Sequence, residues 1–160
     1  MLKIQIIAVG KIKEKYLKEG IAEYTKRLSR FCDLQIIEVE DEKAPESLSE
    51  SQEEQVRLKE AERILKKVKD NSYTIVLDVK GEKLSSEDLA ARIQNLGVSG
   101  ISSITFIIGG SIGLDSSVIK KASLRLSLSD MTFPHQLTRL IILEQIYRAF
   151  KIINNEVYHK

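Results

Sequence analysis

Apolar and polar positions change rhythm in a regular succession along this chain. Residues 2–9 alternate and are rich in isoleucine, the pattern of a strand. From Lys13 to about Arg30, Tyr16, Leu17, Ile21, Tyr24 and Leu28 recur at helical spacing. Residues 33–39 predict a second strand, and Asp41 to Leu48, with Pro45, a loop. Ser49 with Gln52 forms a capping-box pattern for a helix to about Lys69. Residues 73–79 predict a third strand, closed by Lys80-Gly81, and Ser85 with Asp88 caps a helix to about Leu96. A fourth strand is expected at 103–108, a short helix at Ser116–Ala122 and a fifth strand at 124–128. Pro134 is expected in the first turn of a last helix that runs to about Ile153. This alternation predicts a single α/β domain over 1–160, a mostly parallel sheet with helices on both faces. Ligands of such sheets sit beyond the carboxyl ends of the strands, which selects the loops after 79, 108 and 128.

Composition narrows the class without changing the fold. At 160 residues, 42% hydrophobic and 30% charged, the chain reads as a soluble globular protein with a full core. A single cysteine, Cys32, excludes an internal disulfide framework and suits a reducing cytoplasm. Met1 to Ile7 has no signal-peptide layout, and no apolar run approaches the ~20 residues of a membrane span. Charge is unevenly placed: seven basic and three acidic residues from Lys11 to Arg30, eight acidic residues against one lysine from Glu38 to Glu54. That asymmetry fits a nucleic-acid partner, and equally two solvated surfaces of opposite sign.

The candidate chemistry lies in the last third. After the fourth strand comes Gly109-Gly110-Ser111-Ile112-Gly113, which contains neither G-x-G-x-x-G nor a P-loop. It does match G-x-S-x-G, the serine-hydrolase elbow, with Ser111 as nucleophile. The next helix begins near Asp115, late for such an elbow, so backbone that binds a ligand is the favoured reading. The two histidines, His135 and His159, and the lone cysteine offer no metal-ligand spacing, so no metal is expected. Leu137, Leu140, Ile141, Ile142, Leu143, Ile146, Tyr147 and Phe150 leave the last helix only a narrow polar stripe. Such a helix belongs in a subunit interface or at the centre of the monomer core. Glu144 and Arg148 stand four apart and can pair, while Arg139 and Arg148 are also candidates for phosphate.

Several segments together resemble one family. They are Ala8-Val9-Gly10-Lys11-Ile12-Lys13-Glu14-Lys15-Tyr16, Asp41-Glu42-Lys43-Ala44-Pro45-Glu46, Ile108-Gly109-Gly110-Ser111, the run Ser127 to Arg139, Glu144 to Phe150, and the terminal Tyr158-His159-Lys160. Across nearly the whole chain they are similar to the RlmH family, SPOUT-class methyltransferases of bacterial large-subunit ribosomal RNA. Asp130 and Ile153-Asn154-Asn155 depart from the family pattern. The resemblance implies a C-terminal trefoil knot, a rare topology that residue patterns would not suggest. It implies S-adenosylmethionine held by Leu77, Gly109 and the loop Leu128, Ser129, Asp130, Met131, Thr132 and Phe133. It implies a homodimer with the active site at the interface, and the N3 atom of a pseudouridine in large-subunit rRNA, in the ribosome, as methyl acceptor.

A sulfonium methyl is already activated, so such an enzyme must supply proximity and an acceptor without its proton. Tyr158 and His159, on a tail able to close over the base, are the first candidates for handling the N3 proton. His135 is the second, and Arg148 a contact for phosphate or the developing anion. The alternatives are a ribosome- or RNA-binding module without catalysis, and a hydrolase using Ser111.

Overall fold

In the computed structural model, which describes residues 1–43 and 45–160, five strands form one sheet. They are β1 (Lys3–Val9), β2 (Asp33–Val39), β3 (Tyr73–Lys83), β4 (Ser103–Ile108) and β5 (Leu124–Ser127). Their order is β2-β1-β4-β3-β5, and every pairing is parallel. The helices are α1 (Lys15–Leu28), α2 (Glu50–Leu65), α3 (Ser86–Val98), α4 (Ser116–Ile119) and α5 (His135–Ile153). Ala44, in the middle of the acidic motif read from the sequence, lies outside the described residues.

The two faces of the sheet bury different sets of side chains. Ile4, Ile6, Phe106 and Ile108 point with Ile75 toward α1, α3 and α5, where Leu28, Leu89, Ile93, Ile142, Leu143 and Ile146 close the larger core. Ile7, Val9, Val76 and Ile107 face the other way, against Ala61 and Ile64 of α2 and Val118 of α4. The period of two along β1 thus feeds both layers, and β4, buried at all six positions, is the doubly covered centre. Burial of Cys32 pushes its thiol up to about 12, which leaves it inert at neutral pH.

Most expected elements stand within a few residues of their predicted bounds. The Ser49–Gln52 capping box is made in both directions, at 3.2 and 2.9 Å, and Ser85 accepts from the Asp88 amide at 3.0 Å. The last helix starts one residue later than proline at its first turn would require: Pro134 is the N-cap and His135 the first helical residue. The third strand does not close at Lys80-Gly81. It bulges between Leu77 and Glu82, both of which pair with Leu126, and then runs on to Lys83. Gly81 makes this possible, because a Cβ there would lie 2.6 Å from the Arg125 carbonyl carbon and oxygen. The sequence signal for a turn was therefore the signal for a bulge.

The apolar coverage of α5 is used mostly inside the monomer. Ile142, Leu143, Ile146, Tyr147 and Phe150 are buried within one chain, while Leu137, Leu140 and Ile141 remain partly exposed. The chain end is docked as well. Tyr158 lies edge-on against Tyr147, with ring centroids 4.9 Å apart, so the tail packs on α5 and does not trail free.

Candidate active site

A cleft of about 1040 Å³ opens at the carboxyl ends of β3, β4 and β5. Its walls come from the bulged part of β3, Leu77 to Lys80, and from two of the loops that the strand pattern selected, Ile108 to Leu114 and Leu128 with Ser129 and Met131 to His135; the loop expected after 79 is strand instead. Leu77, Gly109, Leu128, Ser129, Met131, Thr132 and Phe133 all line it. Asp130 does not, since its carboxylate turns outward to the Lys83 ammonium.

The glycine loop is a tight turn. The Gly113 amide donates to the Gly110 carbonyl at 3.1 Å, and Gly113 has φ of +85°, a region that favours glycine. Gly109 is needed for a different reason. A Cβ there would meet Leu114 Cγ at 2.8 Å and the Gly113 carbonyl carbon at 3.2 Å, so the turn folds directly over it. Ser111 is at the exposed tip of this turn, and α4 starts only at Ser116, capped by Asp115. No strained strand-to-helix elbow exists at Ser111, and among the described residues its hydroxyl has no hydrogen-bonded base. The geometry gives no support to a serine nucleophile.

On the far strand side, Ser129 organises the second wall: the Met131 amide donates to its Oγ at 3.0 Å, and its carbonyl accepts from the Ser127 hydroxyl at 3.0 Å. This leaves Met131 73% exposed at the mouth. Asp78 and Arg125, which sequence reading did not single out, pair at the rim, Nη2 to Oδ2 at 2.5 Å. Burial opposes the Asp78 charge, but the Arg125 hydrogen bond and the Lys80 amide hold its carboxyl below the ordinary range. They stand 47 positions apart, and Asp78, inside β3, carries no sequence signal for the pair.

His135 closes the end of the cleft and is shared with a second groove beside it. Burial and the charge of Arg139 lower its pKa, so the ring is neutral at physiological pH. Arg139 itself is 3% exposed and bound to Glu38 at 2.5 Å and to the Gly10 carbonyl at 3.2 Å. It ties the starts of two loops to α5 and is not free for phosphate.

The remaining candidates form a separate cluster. Arg148 donates to Glu144 at 2.7 Å, as the i,i+4 spacing allowed. The Tyr158 hydroxyl donates to Glu144 at 2.8 Å, and Arg148 stacks over its ring at 4.8 Å. Burial, then the bonds with Tyr24 and Glu144, raise the Tyr158 pKa, so it stays a phenol. His159 lies between Arg148, 3.1 Å from Nδ1, and Glu87, which meets Nε2. Arg148 only donates, so Nδ1 accepts and the Nε2 proton faces Glu87. Glu87, 72 positions away in sequence, carries no sequence signal for this role. Arg148 stands about 20 Å along α5 from His135 at a rise of 1.5 Å per residue. Within one chain the tail cluster and the cleft are therefore two places.

The cleft offers a ligand both apolar wall and polar groups. Leu77, Ile108, Leu114, Leu126, Leu128 and Phe133 supply apolar wall, and Asp78, Ser129 and Thr132 supply polar groups among exposed loop backbone. Among the described residues no cluster of His, Cys, Asp or Glu could hold a metal ion, and no helix is long and apolar enough to cross a membrane.

Fold and cleft define a parallel α/β protein with an open cleft at the carboxyl side of its sheet. Over residues 2–159 the chain matches the family described as "Predicted SPOUT methyltransferase". It is 62% identical to the "Ribosomal RNA large subunit methyltransferase H" of Acetivibrio thermocellus, over 99% of this chain and 100% of that protein. With the protein of the same name from Ruminiclostridium cellulolyticum the identity is 63%, over the same shares. This chain belongs to the SPOUT methyltransferase family, and within it to the ribosomal RNA large subunit methyltransferase H group. A solved structure, "a probable methylase family protein from Haemophilus influenzae Rd KW20", shares the fold at TM-score 0.55 and 16% identity, over 98% of this chain and 70% of that one.

Proposed function

We propose that the protein is an S-adenosylmethionine-dependent methyltransferase that modifies N3 of a pseudouridine in large-subunit ribosomal RNA, in the bacterial cytoplasm. The observation that carries this is the cleft itself, built by Leu77, Gly109, Leu128, Ser129 and Met131 to Phe133 in a chain of this family. The names of its full-length relatives support ribosomal RNA as the substrate class. The sulfonium supplies an activated methyl group when bound there. Leu77, Leu128 and Phe133 hold the apolar part of such a ligand, and Ser129 and Thr132 its polar edge.

The acceptor nitrogen must lose its proton as the methyl arrives. His135 is neutral and borders the cleft, while Tyr158 and His159 are the other candidates for the proton, with Arg148 beside them as the contact for the developing anion. We infer that a homodimer brings the tail cluster of one protomer to the cleft of the other. The separation of the two places within one chain supports this, and so do Leu137, Leu140 and Ile141, left partly exposed beside the cleft end of α5. The trefoil knot belongs to the same reading. It is supported by the skip from β4 past β3 to β5, and by the 78–83 segment that returns to pair with β5.

Calorimetry of S-adenosylmethionine binding tests the reading. A one-to-one complex weakened by Gly109→Val, with the fold retained, is expected. No binding by the intact chain would overturn it.

A further inference from the structure

Glu60, on α2, is a buried carboxylate that the proposed reaction leaves unused. Only 5% of its surface is exposed. Its Oε2 accepts from the Glu42 amide at 3.0 Å, and among the described residues its Oε1 has no hydrogen-bond partner. Burial raises its pKa against the pull of the Glu42 amide and Arg63, and the charges of Asp41 and Glu42 add to the rise. An open carboxylate oxygen in the interior is costly unless a positive charge answers it.

The glycine turn lies directly against this oxygen. Glu60 Oε1 is 3.4 Å from where a Gly110 Cβ would stand, so no side chain of the turn separates the two. Gly110, Ser111 and Ile112 form a wall shared by two spaces, the cleft on one side and the groove that Glu60 lines on the other. The two sides differ in charge. The cleft side carries Arg57, Lys80 and Arg125 against one carboxylate, Asp78, which Arg125 already holds. The groove side sets eight carboxylates against three lysines. Of those eight only Glu60 is buried, so water and salt screen its charge least. A cation in the cleft thus finds no free carboxylate in its own walls, and the nearest unscreened negative charge behind one of them.

A sulfonium is a fixed cation, and loss of its methyl group leaves a neutral thioether. Donor and product therefore differ by one positive charge. We infer that Glu60 is the counter-charge for the sulfonium, acting through the Gly110–Ile112 wall, and that it makes the cleft prefer the methyl donor to its demethylated product. The inference rests on the proposed methyl donor, and adds a specificity-determining residue outside the cleft. In the transition state the positive charge is already dispersing, so Glu60 favours the bound donor and the exchange of product for donor, not the transfer step itself.

The test is calorimetric titration of the intact chain and of Glu60→Gln with S-adenosylmethionine and with S-adenosylhomocysteine, at mildly alkaline pH. Glutamine keeps the size of the side chain and an acceptor for the Glu42 amide, and urea unfolding checks the fold. Glu60→Gln is expected to bind the donor roughly tenfold more weakly, the scale of a screened charge pair, and the product as the unaltered chain does. As pH falls through its raised pKa, Glu60 takes up a proton, so the donor preference of the unaltered chain should fall toward the flat preference of Glu60→Gln. Asp41, Glu42 and His135 titrate in both proteins and cancel in that comparison. Should the variant unfold, the unaltered chain alone reports the coupling: in buffers of different ionisation enthalpy it should release more protons on binding donor than product. In methyl transfer to ribosomes, Glu60→Gln should raise KM for the donor without lowering kcat. Equal weakening of both ligands, unchanged affinities, or a lower kcat at unchanged KM overturns the inference and leaves the proposed reaction standing. No donor binding by the unaltered chain overturns the proposed reaction, and the inference with it.

Discussion

Gly109 shows how one absent methyl group shapes the cleft. Leu114 folds over it at a distance no side chain would permit, and that fold places the 110–113 turn in the wall of the cleft. Gly109→Ala should cost about 1–3 kcal/mol in urea unfolding, the range for overpacking, and should weaken S-adenosylmethionine binding in parallel. Adding Leu114→Ala should restore part of both. Full affinity in the single variant would show that the turn does not depend on this packing. The sequence predicts Gly109 as a ligand contact. It could not distinguish a glycine that makes room for a ligand from one that makes room for Leu114, because both readings need only a missing side chain.

His135 can be checked by pH. Its folded pKa lies below the ordinary 6.5, so below that value the unfolded chain takes up the proton first. The sign follows: this histidine makes the fold less stable as pH falls through 6.5 toward its folded pKa. The stability difference between the unaltered chain and His135→Asn should therefore shift against the unaltered chain over that interval. A difference that stays flat would place the ring in ordinary solvent. The position of His135 at the start of α5 was legible from Pro134 and the helical period. The buried Arg139 that lowers its pKa was not, since an arginine on an apolar helix face also fits a phosphate contact.

Among the elements, strands and helices were readable because one period governs each, and because Ser49 and Ser85 are caps with a local mechanism. β3 was not fully readable, because its second half exists only through β5, more than 40 positions later. The tail was hidden for the same reason: Glu87 and Tyr24, which receive His159 and Tyr158, are remote in sequence. Since Tyr158 packs on Tyr147 and bonds Glu144, deleting residues 158–160 should lower stability by about 1–3 kcal/mol, the aromatic contact and the hydrogen bond being lost together, and should spare the fold. Methyl transfer should collapse in that variant while S-adenosylmethionine still binds. His159→Ala alone should slow transfer by about two to four orders of magnitude if the ring moves the proton. Undiminished transfer by the truncated chain would move the proton acceptor to His135.

For the whole molecule, the apolar α5 suggested two roles at once, and the fold assigns most of it to the monomer core. What remains for a second copy is narrower: Leu137, Leu140 and Ile141 near the cleft. Sedimentation at micromolar concentration should give twice the 18.1 kDa chain mass, and Ile141→Glu should return it to the monomer value while the far-ultraviolet spectrum is kept. A monomeric unaltered chain would contradict the shared site. The central claim is tested most directly by incubating the protein with ribosomes that lack this methylation and S-adenosylmethionine labelled in the methyl group, then digesting the large-subunit RNA to nucleosides. Label is expected in a single nucleoside that behaves as N3-methylpseudouridine. Label on another base, or none in a protein shown to bind the methyl donor, would contradict it.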